Sequence, residues 1–191
     1  MIVGRGFRYE GSLVTISLVI DTATSRTVVG LADGANIFWQ DFHEGATDHG
    51  SAVAQLVAQA LSKGKNPNQV IVGMGPGPFT GLRVGISFAR AFAAARGIPV
   101  IGICSLDAIA IDLPTYTVAI DARRKEIYWA CYNNGVRVSE PAVNFPADVD
   151  GFIIDCYPDV AKMVGLAAGM SIDKPMYLRR PDAVPTDART P

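Results

Sequence analysis

Ile20-Asp21 and Ile120-Asp121 lie 100 residues apart in matching surroundings, LVIDTATSRTVVGLADG from Leu18 and VAIDARRKEIYWACYNNG from Val118. Each aspartate ends an apolar run, precedes a short turn, and is followed by a second apolar run that closes in Asp-Gly or Asn-Gly. A carboxylate at a strand end beside a tight hairpin suits phosphate chemistry. The turn amides form an anion-binding nest, and the carboxylate orients metal-bound water. An Asp in a hairpin turn also has a purely local use, accepting a hydrogen bond from an amide two residues on. One copy is a weak signal; two copies, one in each half, point to a duplicated fold. The copies are not equally fit. Thr22, Thr24 and Ser25 offer hydroxyl donors, so Asp21, Thr22, Thr24 and Asp121 make a candidate nucleotide site. The second turn instead carries Ala122, Arg123, Arg124 and Lys125, which attract anions but crowd the turn. That site reads as vestigial.

The loop Gly73-Met74-Gly75-Pro76-Gly77-Pro78-Phe79-Thr80-Gly81 and the helix after it are the most informative stretch. Thr80 suits an N-cap, and the amides of Gly81 to Arg83 would favour an anion. No Gly-Lys-Ser/Thr follows, so it is not a Walker loop, and proline fills positions that a dinucleotide fingerprint needs as amide donors. Gly81, Gly85, Ala89 and Ala93 recur at i, i+4 spacing, a small-residue ridge that permits close approach of another helix. Leu82, Ile86, Phe88 and Phe92 occupy other faces. A helix apolar nearly all round must be covered on both sides. One side is expected to lie on the chain's own sheet and the other on a second chain; the alternative is a helix sandwiched within the fold.

Other chemistry is poorly supplied. His43 and His49 are the two histidines, six apart, without the spacing that puts two metal ligands on one helical face. His49, before Gly50-Ser51, reads as a cap or interface residue. No Ser/His/Asp set has motif context. Cys104, Cys131 and Cys156 are widely spaced and odd in number, which excludes a disulfide framework and fits a reducing cytoplasm.

Of 191 residues, 18% are charged against the roughly 25% of an average globular domain, while 49% fall among AVILMFWYC. Mean hydropathy is +0.24 and the net charge −1, with a pI near 6.1. These values exclude intrinsic disorder and binding of nucleic acid by bulk charge. No run approaches the ~20 apolar residues of a membrane span, and no signal peptide is visible. From His49 to Leu106 there is no Asp or Glu, whereas Lys63, Lys65, Arg83, Arg90 and Arg96 are present. Surface helices normally interleave both signs. The segment is either mostly buried or a surface that meets an acidic or apolar partner.

The elements that must position these groups follow from periodicity. Strands are expected at Val14–Ile20, Thr27–Ala32 and Asn36–Phe42, the last after an Asp33-Gly34 turn. A helix over Asp48–Ser62 places Val53 and Leu56 on its apolar face and ends near Gly64 and Pro67. Strands at Val70–Met74 and Ile98–Ile103 flank a helix from Gly81 to Arg96. Ser105 is expected to cap a short helix, Leu106–Asp112. A second unit has strands at Thr117–Asp121 and Glu126–Tyr132, then Phe152–Asp155 and a helix, Val160–Ala168. The organisation expected is a lobe over 13–113, a smaller lobe over 114–175, and an extended tail over 176–191.

IDTATS, GMGPGPFTGLRVGISFARAFA, IDARRKEIYWA and YLRRPDA together resemble the bacterial TsaB (YeaZ) family. The resemblance covers roughly Val14–Tyr132 and Pro175–Ala183. It implies an α/β, actin-like (ASKHA) two-lobed fold with mixed sheets, of the actin/Hsp70/sugar-kinase superfamily, with the second lobe reduced. It also implies a non-catalytic paralogue that pairs with a catalytic TsaD subunit and a TsaE ATPase to form N6-threonylcarbamoyladenosine in tRNA next to the anticodon. ATP or ADP would sit, if anywhere, at the junction with the partner subunit, and tRNA would be met only through the complex. The helix pair Asp48–Ser62 and Gly81–Arg96 would form the interface with TsaD or with a second copy, through Val53, Leu56, Gly81, Arg83, Gly85, Ala89, Phe92 and Ala93. Residues before about Ser12 read as an extension, and Pro78 stands where the family usually has Ser. The rival readings are a free-standing small-molecule kinase or ATPase using Asp21, Thr22 and Thr24, and a glycoprotease-like peptidase.

Overall fold

The structure, a computed structural model, describes residues 15–34, 36–169 and 171–179. Strand expectations for Val14, the residues before Ser12, and the tail beyond 179 lie outside the described residues. The first sheet holds β1 (Ile16–Asp21), β2 (Arg26–Asp33), β3 (Asn36–Glu44), β4 (Gln69–Gly73) and β5 (Val100–Ile103) in the order β3-β2-β1-β4-β5. β1, β2 and β3 form an antiparallel meander, and β4 and β5 add parallel to β1. Helix α1 (His49–Leu61) precedes β4, and α2 (Phe79–Arg96) joins β4 to β5.

The period of two along each strand explains why these strands are apolar without interruption. Leu18, Ile20, Val29, Leu31, Val70 and Val72 face one core with α1 and α2, through Val53, Leu56, Leu82, Ile86 and Ala89. Val19, Val28 and Ile71 face the opposite side, where α3 (Val160–Ala167) brings Val160 and Met163. Gly30 is the seat of that helix: a Cβ there would overlap the Val160 side chain.

The second sheet has β6 (Thr115–Asp121), β7 (Ile127–Asn133), β8 (Val136–Arg137) and β10 (Phe152–Ile153) in the order β10-β6-β7-β8, with β9 (Ala142–Asn144) also on β7. Its core sets Tyr116, Val118, Ile120, Tyr128 and Tyr132 against Cys104, Leu106 and Ile109, the segment leaving β5. The Tyr116 and Tyr132 rings stack at 5.0 Å, and Tyr132 donates to Asp107 at 2.8 Å.

Three local expectations are corrected by contacts distant in sequence. Leu106–Asp112 is not a helix but a turn through Ala108 followed by a bridge at Ile109 and irregular chain, because the Ser105 hydroxyl is taken by Asp21 and Leu106 and Ile109 are drawn into the second core. Helix α2 starts at Phe79 behind Pro78, so Thr80 lies inside it and caps nothing. Helix α3, expected with the second unit, packs on the first sheet. Residues 171–179, which lead into the expected extended tail, are docked on the fold. The Ile172 amide bonds the Gly102 carbonyl and the Met176 amide the Met74 carbonyl, each at 2.7 Å. Tyr177 then meets Phe79 at 5.0 Å, and Arg179 pairs with Glu126 and donates to the Ala122 carbonyl. Residues 171–179 thus form a strap from the first sheet to the second hairpin.

Candidate functional site

The two hairpins repeat in three dimensions. Asp21 Oδ1 accepts from the Ala23 amide at 2.8 Å, and Asp121 Oδ1 accepts from the Arg123 amide at 2.8 Å. Their environments differ. Asp21 is fully buried, and its Oδ2 accepts from the Ser105 hydroxyl at 2.6 Å. Gly73 opposite is obligatory, since a Cβ there would overlap that oxygen. Burial pushes the Asp21 carboxyl up to about 6, partly offset by the Ser105 and Ala23 bonds. Asp121 is exposed and lies 3.4 Å from the Arg123 guanidinium.

Thr22 is not presented to a phosphate. Its buried hydroxyl donates to the Gly81 carbonyl at 2.8 Å and accepts from the Gly85 amide at 3.1 Å, inserted between two groups that an α-helix joins directly. It pins the first hairpin to α2. Thr24 closes its own turn on the Arg26 amide at 3.1 Å and borders a cleft.

That cleft, about 850 Å³, lies between the first lobe and the second hairpin. One wall is the start of α2 with His49; the other is Ala122, Arg123, Arg124 and Tyr128, closed by Tyr177 and Arg179 of the strap. Neither Asp21 nor Asp121 lines it. Arg123, Arg124 and Lys125 all adopt left-handed backbone, with φ of 63°, 56° and 65°. His49 is 4% exposed, with Nδ1 2.8 Å from Thr27 Oγ1. Burial lowers its pKa, and the Arg123 charge lowers it further. Of the four nucleotide-site residues expected, the cleft therefore keeps Thr24. Thr27, Tyr177 and Arg179 were not singled out as site residues from the sequence, and Ser105 was expected only as a helix cap; no spacing signal connects them to the hairpins they serve.

The expected interface residues divide by face. Val53, Leu56, Gly81, Gly85, Ala89 and Ala93 are buried in the chain's own core. The small-residue ridge is used internally: a Cβ on Gly81 would crowd the Thr22 carbonyl and His49, and one on Gly85 would overlap Thr22 Oγ1. Those six therefore form no outer surface. Arg83 is exposed and Phe92 half-buried on the opposite face. That face of α2 also exposes Thr80, Ser87 and Ala91, with Phe88 stacked on Phe92 at 6.3 Å. Arg83 lies over the Phe79 ring and Arg96 over Phe92. The exposed residues of α1, including Ser51, Ala54, Gln55, Ala58 and Gln59, carry no charge.

Two sheets in two lobes, paired Asp-hairpins and a cleft between them define an actin-like α/β protein. Residues 44–180 match the family described as TsaD, tRNA N6-adenosine threonylcarbamoyltransferase. The chain belongs to that family, as a TsaB/YeaZ-like member. It is 39% identical to an uncharacterized protein of Mycobacterium leprae over 92% of its own length and 58% of that protein's. It is 32% identical to the Escherichia coli tRNA threonylcarbamoyladenosine biosynthesis protein TsaB, over 62% of this chain and 57% of that one. The chain thus spans somewhat over half the length of these two relatives. A Pseudomonas aeruginosa crystal structure described as similar to peptidase YeaZ shares the fold, with a TM-score of 0.74, 22% identity, and coverage of 86% of this chain and 100% of that one. Among the described residues, no helix is long and apolar enough to cross a membrane.

Proposed function

We propose that this chain is a non-catalytic scaffold subunit of the assembly that forms N6-threonylcarbamoyladenosine in tRNA, and that it acts by docking a TsaD-like catalytic subunit. Membership of the family and the name of the E. coli relative support the pathway. The observation that carries the docking role is the outer face of α1 and α2: uncharged on α1, and on α2 aromatic and basic with no acid. Such a face suits a partner with apolar and acidic character. A TsaE-like ATPase completes the proposed assembly in the cytoplasm, and a second copy takes the TsaD-like partner's place when that partner is absent. The chemistry of the hairpins supports the absence of catalysis, since Asp21 is sealed under Ser105 and Asp121 is turned to Arg123.

Association with a TsaD-like subunit, measured by calorimetry, tests this reading. Arg83→Glu with Ala91→Glu places two acids on an exposed face and is expected to weaken association by about tenfold or more while the fold is retained. Undiminished association would place the interface elsewhere. ATP hydrolysis by the isolated chain would instead favour the kinase-like reading.

A further inference from the structure

Relative motion is the ordinary expectation for two lobes joined by passages of chain, unless something fixes them. Here both passages are tied down and joined to each other. The first, leaving β5, is held to the first lobe by Ser105, whose amide donates to the Gly75 carbonyl at 2.7 Å and whose hydroxyl donates to Asp21 at 2.6 Å. Asp107, 5% exposed, holds it to the second lobe, accepting from the Tyr132 hydroxyl at 2.8 Å with Arg137 Nε 3.0 Å away. The second passage, from β10 into α3, lies along the first. The Asp159 amide donates to the Ala108 carbonyl at 2.9 Å, Lys162 Nζ donates to the Ile109 carbonyl at 2.6 Å, and an antiparallel bridge pairs Ile109 with Pro158. Passages bonded side by side still leave one freedom, rotation about their common line, which is how hinged lobes open and shut a cleft. We propose that the strap, residues 171–179, is a brace that removes this freedom: it fixes the angle between the lobes, so that the cleft keeps one width and the chain meets a partner as a single rigid body.

Three observations support it. First, the strap is placed away from the passages. Tyr177 and Arg179 line the cleft, and no residue of either passage does. A tie set off the line of rotation resists that rotation, whereas one lying on it does not. Second, the strap is anchored at both ends. On the first lobe the Ile172 and Met176 amides bond the Gly102 and Met74 carbonyls, and the Arg90 guanidinium donates to the Asp173 carbonyl at 3.0 Å. On the second lobe Arg179 donates to the Ala122 carbonyl at 3.1 Å and pairs with Glu126, while Leu178 packs on the second core. Third, the strap is part of the cores it joins. Ile172 packs against both of them, and the first lobe has glycine where it passes: a Cβ on Gly102 would overlap the Ile172 carbonyl, and one on Gly75 would crowd the Met176 carbonyl.

The brace has little slack. From Met176 to Arg179 is three residue steps, at most about 11 Å of fully extended chain. A rotation that widens the cleft must therefore break the Arg179 bonds or draw Leu178 out of the second core. The role stands apart from docking, because it concerns how the lobes are joined. Substitutions in the strap leave the outer face of α1 and α2 unchanged.

Pulsed electron paramagnetic resonance on the full chain reads the lobe angle directly. Cys131→Ser and Cys156→Ser remove the half-buried thiols and leave the buried Cys104. Gln59→Cys on α1 and Asp150→Cys on the second lobe, both at exposed positions, then carry the spin labels. A single narrow distance distribution is expected. Leu178→Ala with Arg179→Ala frees the second-lobe end of the strap. In that variant the distribution is expected to broaden and amide exchange at Met176 to speed by about tenfold or more, with the circular dichroism spectrum unchanged. A broad or two-peaked distribution in the parent would overturn the brace whatever the variant does. A freed variant as narrow as its parent would overturn it too, since the passages alone would then fix the angle.

Discussion

Asp21 shows how little a residue's identity says about its work until its surroundings are known. An Asp ending a strand before a hairpin is the pattern of phosphate-handling proteins, and here it is a sealed structural carboxylate with both oxygens taken. Its pKa, raised to about 6 by burial, makes a prediction of definite sign. The folded state holds this proton more tightly than the unfolded chain, so the contribution is fully present below pH ~4 and is lost as pH rises through about 6. From that shift the loss is about 3 kcal/mol across the window. Denaturant melts at a series of pH values will show this fall in the wild type and a flatter profile in Asp21→Asn. An equal fall in both would assign it to other groups. The repeat of the Asp-hairpin was legible because it is local. The sealing was not, because Ser105 lies 84 positions away and Gly73 contributes by lacking a side chain.

At the scale of elements, the ridge Gly81, Gly85, Ala89 and Ala93 carried a correct message, close approach, with the wrong object. It admits the first hairpin and α1 rather than a second chain. Gly85→Ala is therefore expected to destabilise the isolated chain by about 1–3 kcal/mol, since its Cβ overlaps Thr22 Oγ1. Thr22→Ala in the same chain should recover part of that loss. Thermal unfolding of the three variants decides it: an unaffected Gly85→Ala would mean that the ridge faces outward. The strap is open to a similar test. A Cβ on Gly102 would collide with the Ile172 carbonyl, so Gly102→Ala is expected to speed amide exchange at Ile172 and Met176 well before it affects β1. Uniform exchange would contradict the docked strap. Long periodic elements were readable from residue pattern, including β1, β2, α1 and α2. The short strands β8 and β9, the turn at Ser105–Ala108 and the side of the sheet taken by α3 are set by tertiary contacts that no local period encodes.

On the scale of the whole molecule, the shortage of charge now has a location. The first sheet is covered on both faces, by α1 and α2 on one side and α3 on the other, which uses up the apolar surplus of its strands. What remains unexplained by folding is the acid-free outer face of α1 and α2, and docking is the role proposed for it. The cleft is a separate feature, lined by Arg123, Arg124 and Arg179 together with Phe79, Tyr128 and Tyr177. Formation of N6-threonylcarbamoyladenosine on tRNA by TsaD- and TsaE-like proteins, with and without this chain, tests the central claim most directly. Product is expected only when the chain is present, and the Arg83→Glu, Ala91→Glu variant should cut it by about tenfold or more. Equal product without the chain would contradict the account.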